Sequence, residues 1–294
     1  MTQEGFVVLS EEFDKVLKPG AQLQQLAEGL KFTEGPVWVA EGNYLLFSDI
    51  PADELKRWSS QDGLSTWRTP SHSANGNTLD REGRLVTCEH GSRRVTRTQP
   101  DGSVMVLACT HDGKQLNSPN DVVVKSDGTV WFTDPTYGIS QDQIVQPHNY
   151  VFRLDPGGQE PVPVADDFSM PNGLCFSPDE SLLYIADSSE RHHVRVFTVN
   201  PDNTLSGGEV FAVIAPGVPD GMRVDAEGRL YTTAGDGVQV YAPSGEPLGK
   251  ILTPEPAANC AFGGTHYTEL FITARTDLYS VELAVKGAQR PDPV

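Results

Sequence analysis

The sequence predicts an all-β chain, a six-bladed β-propeller with four antiparallel strands per blade. Three observations predict it. First, short alternating or apolar runs dominate: YLLFSD (44–49), RLVTCE (84–89), TVWFTD (129–134), SLLYIAD (181–187), RLYTTA (229–234) and ELFITA (269–274). Each follows a polar turn, in order AEGN, DREG, KSDG, SPDE, DAEG and GTHYT, which is the signature of strands joined by tight connections. Second, these turns align on Gly42, Gly83, Gly128, Glu180, Gly228 and Thr268, with successive gaps of 41, 45, 52, 48 and 40 residues, the period of a propeller blade. Third, the 28 glycines and 22 prolines recur at intervals along the 294 residues instead of clustering in a linker or tail.

Six units at that period account for nearly the whole chain. No composition shift divides them, so one domain is expected over 1–294, with a short helix-containing extension at about 1–22. The helix starts after Ser10 as N-cap and runs through Glu11 and Glu12 to about Leu17. One of two early segments, FVVLS (6–10) or LQQLAEG (23–29), is expected to pair with the last blade and close the ring, leaving few free sheet edges. A β-sandwich rarely repeats one pattern six times, and a β-helix repeats over a much shorter period.

Composition excludes several functions. Forty acidic against 22 basic residues give a formal charge of −18, which repels phosphate backbones and anionic lipid, so no nucleic-acid partner and no membrane partner is expected. No run of about 18 apolar residues exists to span a bilayer. The N-terminus MTQEGFVVLSEEF lacks the basic and apolar regions of a signal peptide. Cys88, Cys109, Cys175 and Cys260 are far apart and form no C-x-x-C pair, which reads as small core residues in a reduced, cytoplasmic protein.

A second feature recurs in phase with the blades. Just before the first strand of each unit stand Glu34-Gly35, Asn75-Gly76, Asn120-Asp121, Asn172-Gly173, Asp220-Gly221 and Asn259-Cys260, their lead residues 41, 45, 52, 48 and 39 apart. The first strand of each blade lines the central channel, so six residues distant in sequence converge on one mouth. Asn-Gly and Asp-Gly are common turn dipeptides and singly mean little. Six in-phase copies bearing side-chain oxygens point instead to a hard divalent cation: two carboxylates neutralise it, amide oxygens fill its shell, and a roomy ring of protein oxygens favours calcium over magnesium. The second strands return to the same mouth and end in Asp49, Glu89, Asp134 and Asp187, with Ala234 and Ala274 in the last two units. The aspartates are expected to surround the site or to accept backbone hydrogen bonds.

The motifs FTEGPVW (32–38), SPNDVVVKSDGTVWFTDPTYGI (118–139), MPNGLCFSPDESLLYIADSS (170–189) and VPDGMRVDAEGRLYTT (218–233), with CEHGSRRVTR (88–97) and AFGG (261–264), resemble the gluconolactonase and regucalcin family of six-bladed propellers from about residue 25 to 280. The resemblance implies one calcium held by Glu34, Asn120, Asn172 and Asp220, with zinc, manganese or magnesium as alternative ions. It implies that Asn75 and Asn259 line the pocket or shape the turn, and that Asp220 takes part in proton transfer. Two departures stand out: Ser118 occupies a place where the regucalcin branch tends to carry Arg, and Arg223 stands where a related phosphotriesterase branch places a second acidic ligand.

The implied reaction is hydrolysis of a small-molecule sugar lactone such as gluconolactone. Asp220 serves as the base and Asn120 holds a substrate oxygen as well as the ion. His72, Glu89, His90 and Tyr137, with Asn75, are candidates for the substrate wall, each weighed against a surface or packing role. His192 and His193 read as solvated loop residues. No G-x-S-x-G elbow follows a strand, so a serine triad is not indicated. The competing readings are a phosphotriesterase or fluorophosphatase on the same ion, a non-catalytic binding propeller stabilised by calcium, and a calcium buffer.

Overall fold

The structure, a computed structural model, describes residues 2, 3 and 5–288; residues 1, 4 and 289–294 of the expected domain lie outside the described residues. Six antiparallel sheets form the blades, and a small two-stranded sheet, Thr110–His111 with Lys114–Gln115, hangs from the second. The inner strands are Thr33–Val39, Ala74–Leu79, Val122–Val124, Pro171–Phe176, Met222–Val224 and Asn259–Gly263 in blades 1 to 6. The second strands are Tyr44–Asp49, Leu85–Glu89, Val130–Asp134, Leu182–Asp187, Leu230–Ala234 and Glu269–Ala274, as the repeat predicts.

The turn between first and second strand owes its regularity to one side chain. Asp80 Oδ1 accepts the amides of Glu82 (3.0 Å) and Arg84 (2.9 Å). Asp225 Oδ1 does the same for Glu227 and Arg229, both at 3.0 Å. An aspartate that bonds the backbone two residues on supplies a preformed bend, and the glycine that follows takes the positive φ the bend requires. The second strands are buried on both faces, so they read as apolar runs. Between blades 3 and 4, Trp131, Val151, Leu174, Leu183 and Ile185 form one such interblade core, and Trp131 meets Phe176 edge-on.

Of the two candidate closing segments, the second closes the ring. Gln24–Ala27 is the outer strand of blade 6, paired with Asp277–Glu282. Phe6–Val8 adds instead to the outer strand of blade 5, Pro247–Leu252. The helix Glu11–Val16 follows Ser10 as expected, although the serine side chain makes no capping bond, and Phe13 and Val16 are buried against blades 5 and 6. Cys88, Cys175 and Cys260 are buried, but Cys109 is exposed, so the reading of all four as core residues fails for it: its strand ends at Ala108 and the chain leaves the sheet there. Among the described residues, no helix is long and apolar enough to cross a membrane.

Candidate functional site

The first layer of the site is backbone. At one mouth of the channel each blade reaches over the next. Asn77 Nδ2 of blade 2 donates to Gly35 O of blade 1 (3.0 Å) and Gly76 N to Asn120 O of blade 3 (2.8 Å). Thr133 Oγ1 of blade 3 donates to Asn172 O of blade 4 (2.8 Å), Gly221 N of blade 5 to Ala258 O of blade 6 (2.8 Å), and Asn259 Nδ2 of blade 6 to Glu34 Oε2 of blade 1 (3.0 Å). Between blades 4 and 5 the contact is so close that a Cβ on Gly173 would stand 2.1 Å from Asp220 O. A Cβ on Gly221 would stand 1.9 Å from Asn259 Cγ. Neither glycine has a positive φ. The X-Gly dipeptides here are therefore not turns; Gly lets the next blade's ring residue approach. In four of the six blades the ring residue lies inside the inner strand rather than before it. Gly173→Ala is expected to cost about 1–3 kcal/mol by overpacking, read as a lower denaturation midpoint at unchanged slope.

The second layer holds the loops that deliver the ring residues. Asp49 Oδ1 accepts the amides of Lys31 (3.2 Å) and Phe32 (3.1 Å). Asp134 Oδ2 accepts that of Asn117 (2.8 Å), and Asp187 accepts those of Ser169 and Met170, both at 3.0 Å. In each case the gripped amides lie two or three residues before the ring residue, at Glu34, Asn120 and Asn172. These acids thus bind their own blade's backbone. Blade 2 departs from the pattern: Glu89 is tied to Arg94 Nε (2.7 Å), Thr96 Oγ1 (3.0 Å) and Ser92 Oγ, and Asp53 Oδ1 takes over the loop by accepting Ser73 N (2.7 Å). Arg93 Nε donates to Leu116 O and Asn117 O, both at 2.8 Å, which fixes the loop before blade 3 from the side opposite Asp134, and Ser118 is buried in that loop.

The third layer is the ring itself. Asn75 Nδ2 donates to Asn120 Oδ1 (2.6 Å), Asn120 Nδ2 to Asn172 Oδ1 (2.5 Å), Asn172 Nδ2 to Ser188 Oγ (2.9 Å), and Ser188 Oγ to Pro219 O (2.5 Å). His90 Nε2 lies 3.1 Å from both Asn75 Nδ2 and Asn120 Oδ1. Burial holds His90 down to about 4, so its imidazole is neutral at pH 7. Tyr137 OH is 3.5 Å from Asn172 Nδ2, and burial together with the charge of Asp220 pushes the phenol up to about 12. The Asn172 amide also favours the ionised form of Asp220, against burial.

The two ring acids repel one another. Glu34 is pushed up to about 7, first by burial and then by the charge of Asp121, against the hydrogen bond from Asn259. Asp220, half-buried, is held well above the usual carboxylate range, first by burial and then by the charge of Glu34. Arg223, three residues along blade 5, and Asp121, in blade 3, lie deeper in the channel and act on the ring acids through charge. Among the described residues no group of three or more His, Cys, Asp or Glu side chains is arranged to hold a metal ion. Any cation site at this mouth must draw on amide oxygens, as the sequence pattern implied. A hard divalent ion accepts such a set, and two buried carboxyls with no adjacent cation but Arg223 leave a charge that a 2+ ion neutralises.

The structure thus brings Glu34, Asn75, Asn120, Asn172, Asp220, Asn259, His90 and Tyr137 together. It leaves His72 exposed on the loop before blade 2, in the left-handed region at φ +59°, and commits the Glu89 carboxylate to its hairpin. Sequence reasoning missed Ser188 and Asp121. Both sit next to residues it had singled out, Asp187 and Asn120; Asp121 stands in the column that holds Gly in four other blades, so its acid was the signal that could have found it.

Residues 32–276 match the model of the SMP-30/gluconolactonase/LRE-like region. A gluconolactonase of Zymomonas mobilis subsp. mobilis is 32% identical over 95% of this chain and 86% of its own. The structure of a gluconolactonase from Xanthomonas campestris superposes with a TM-score of 0.89 at 35% identity, covering 95% of this chain and 94% of that one. A pentonolactonase of Haloferax volcanii is 27% identical over 82% of this chain and 80% of its own.

Proposed function

The chain belongs to the SMP-30/gluconolactonase/LRE-like family, and on that footing we propose that it hydrolyses a sugar lactone, such as gluconolactone, to the aldonic acid at the axial ring. The observation that carries this reading is the convergence at one channel mouth of two carboxyls, Glu34 and Asp220, with the amides of Asn120 and Asn172. These four residues are the ligands we assign to a divalent cation, calcium first. When bound, such an ion supplies a Lewis acid for the lactone carbonyl.

The chain's own groups do the rest. Asp220 accepts a proton from the attacking water on its outward oxygen and returns it to the departing ring oxygen, which leaves as the alcohol of the open acid. Asn172 donates to Ser188, and Ser188 to the carbonyl of Pro219, which ties the backbone just before Asp220 to the ring. Asn120, fixed by Asn75 and His90, keeps its amide where a substrate oxygen meets it. His90 is neutral and orients; it does not move a proton. Tyr137, with its phenol protonated, offers a donor to a sugar hydroxyl. The four unpaired cysteines support a reducing compartment, and we place the activity in the cytoplasm.

The test is acid release from a panel of aldonolactones, with and without chelator, followed by add-back of calcium, magnesium, manganese and zinc. Chelation is expected to remove most turnover and calcium to restore it. An aryl phosphotriester run in parallel separates lactonase from phosphotriesterase chemistry. Full lactone turnover after exhaustive chelation would sink the cation, and no turnover of any lactone with any ion would leave a binding propeller.

A further inference from the structure

The channel has a second end. Three residues beyond the ring, about 10 Å along the inner strands, all six blades contribute to a cavity of about 700 Å³ at the opposite mouth. That is the size of a small-molecule site. Its wall is mixed: Val37, Val123, Val224 and Phe262 supply apolar surface, and the cationic side chains among the lining residues are Arg81, in the blade 2 turn, and Arg223, on the inner strand of blade 5.

Arg223 is half-buried and makes one side-chain hydrogen bond among the described residues, from Nη1 to the carbonyl of Met222 (2.6 Å). Its charge acts on Asp121 and Glu34 on the ring side, while its guanidinium also lines the cavity. Most of the donors on a planar, permanently charged fork are therefore left for a ligand. The acids around the cavity are largely engaged elsewhere. Asp80 and Glu82 pair with Arg84, and Glu180 accepts Ser126 N (2.8 Å) and Ser126 Oγ. Glu41 stands exposed at the rim, where water screens it.

We propose that this cavity is a second binding site, for a small monocarboxylate with an apolar body, its carboxylate seated on Arg223. The body is as necessary as the charge. A chain with 18 excess negative charges repels a bare anion, so burial of apolar surface must contribute alongside the charge-assisted hydrogen bonds. The site lies on the far side of Arg223 from the ring and stands whether or not the ring hydrolyses lactones.

The probes are benzoate, acetate and benzyl alcohol, titrated by calorimetry and saturation-transfer NMR against the full chain in calcium-containing buffer. Benzoate is expected to bind, with acetate (no body) and benzyl alcohol (no charge) each at least about tenfold weaker. Arg223→Gln is expected to weaken benzoate about tenfold to a hundredfold. Benzoate at saturation is expected to leave the KM for gluconolactone unchanged. The proposal is overturned if benzoate does not bind, if benzyl alcohol binds equally well, if Arg223→Gln binds benzoate as the parent does, or if benzoate competes with lactone. The three-probe comparison uses the parent chain alone, so it decides the matter even where the variant fails to fold.

Discussion

Asp220→Asn is expected to reduce lactone turnover about 10²- to 10⁴-fold, the usual contribution of a positioned general base, while raising the melting temperature of the cation-free protein. Both effects come from the same carboxyl. As a carboxylate, Asp220 has a free oxygen to accept a proton from water; as an amide it has none. Its neighbours, however, set it at a cost in stability. It lies in the field of Glu34 and Asp121, which with burial disfavours its ionised form. A neutral isostere keeps the shape and removes the repulsion. Steady-state kinetics at saturating calcium, paired with calcium-free thermal scans, read the two effects separately. A variant that binds calcium and turns over at the parental rate excludes the base role.

Glu34→Gln is expected to weaken calcium at least about tenfold, since it removes one of two ligand charges, and to flatten the pH dependence of the cation-free fold. The sign follows from the direction of the shift. Burial, and then the charge of Asp121, raise Glu34 from an ordinary 4.5 to about 7, so the folded state holds this proton more tightly than the unfolded chain does. The stability that this protonation contributes is fully present below pH 4.5 and is lost as pH rises through about 7. The loss is at most about 3 kcal/mol. Asp220, shifted the same way, adds to the slope and keeps part of it in the variant. Calcium, if it binds the ionised, folded form as proposed, is expected to reverse the decline by mass action. Denaturant titrations of parent and variant at pH 4.5, 6 and 7.5, with and without calcium, check this. A parent protein whose cation-free stability is flat over that range would show that Glu34 and Asp220 do not face one another in a dry ring.

Much of this site can be read in the sequence because a propeller converts sequence period into spatial coincidence. Glu34, Asn120, Asn172 and Asp220 stand 86, 52 and 48 residues apart, yet each occupies the same place in its own repeat, and the closed ring forces equal places together. The same logic found the second strands and their terminal acids. What it could not supply is whatever breaks the repeat. Glu89 occupies the column of Asp49, Asp134 and Asp187, but one more methylene and a neighbouring Arg94 turn it into a hairpin ion pair, and Asp53, from another blade, does its work. Ser188 carries no repeat signal because its role depends on the loop of blade 5, whose Pro219 carbonyl it meets. The choice between Phe6–Val8 and Gln24–Ala27 as the closing strand also escaped the pattern. Both are short and strand-like, and only the tertiary path decides which edge each one reaches.

The pairing of Gln24–Ala27 with Asp277–Glu282 sets an order of events during synthesis. Gln24–Ala27 must wait until Asp277–Glu282 has followed it, because among the described residues that strand makes the edge on which it docks. Blades 1 to 5 can form as they emerge, but the ring residues on blades 1 and 6 meet only once blade 6 has been made. A chain truncated anywhere before blade 6 therefore yields an open arc whose ring acids and amides share no centre.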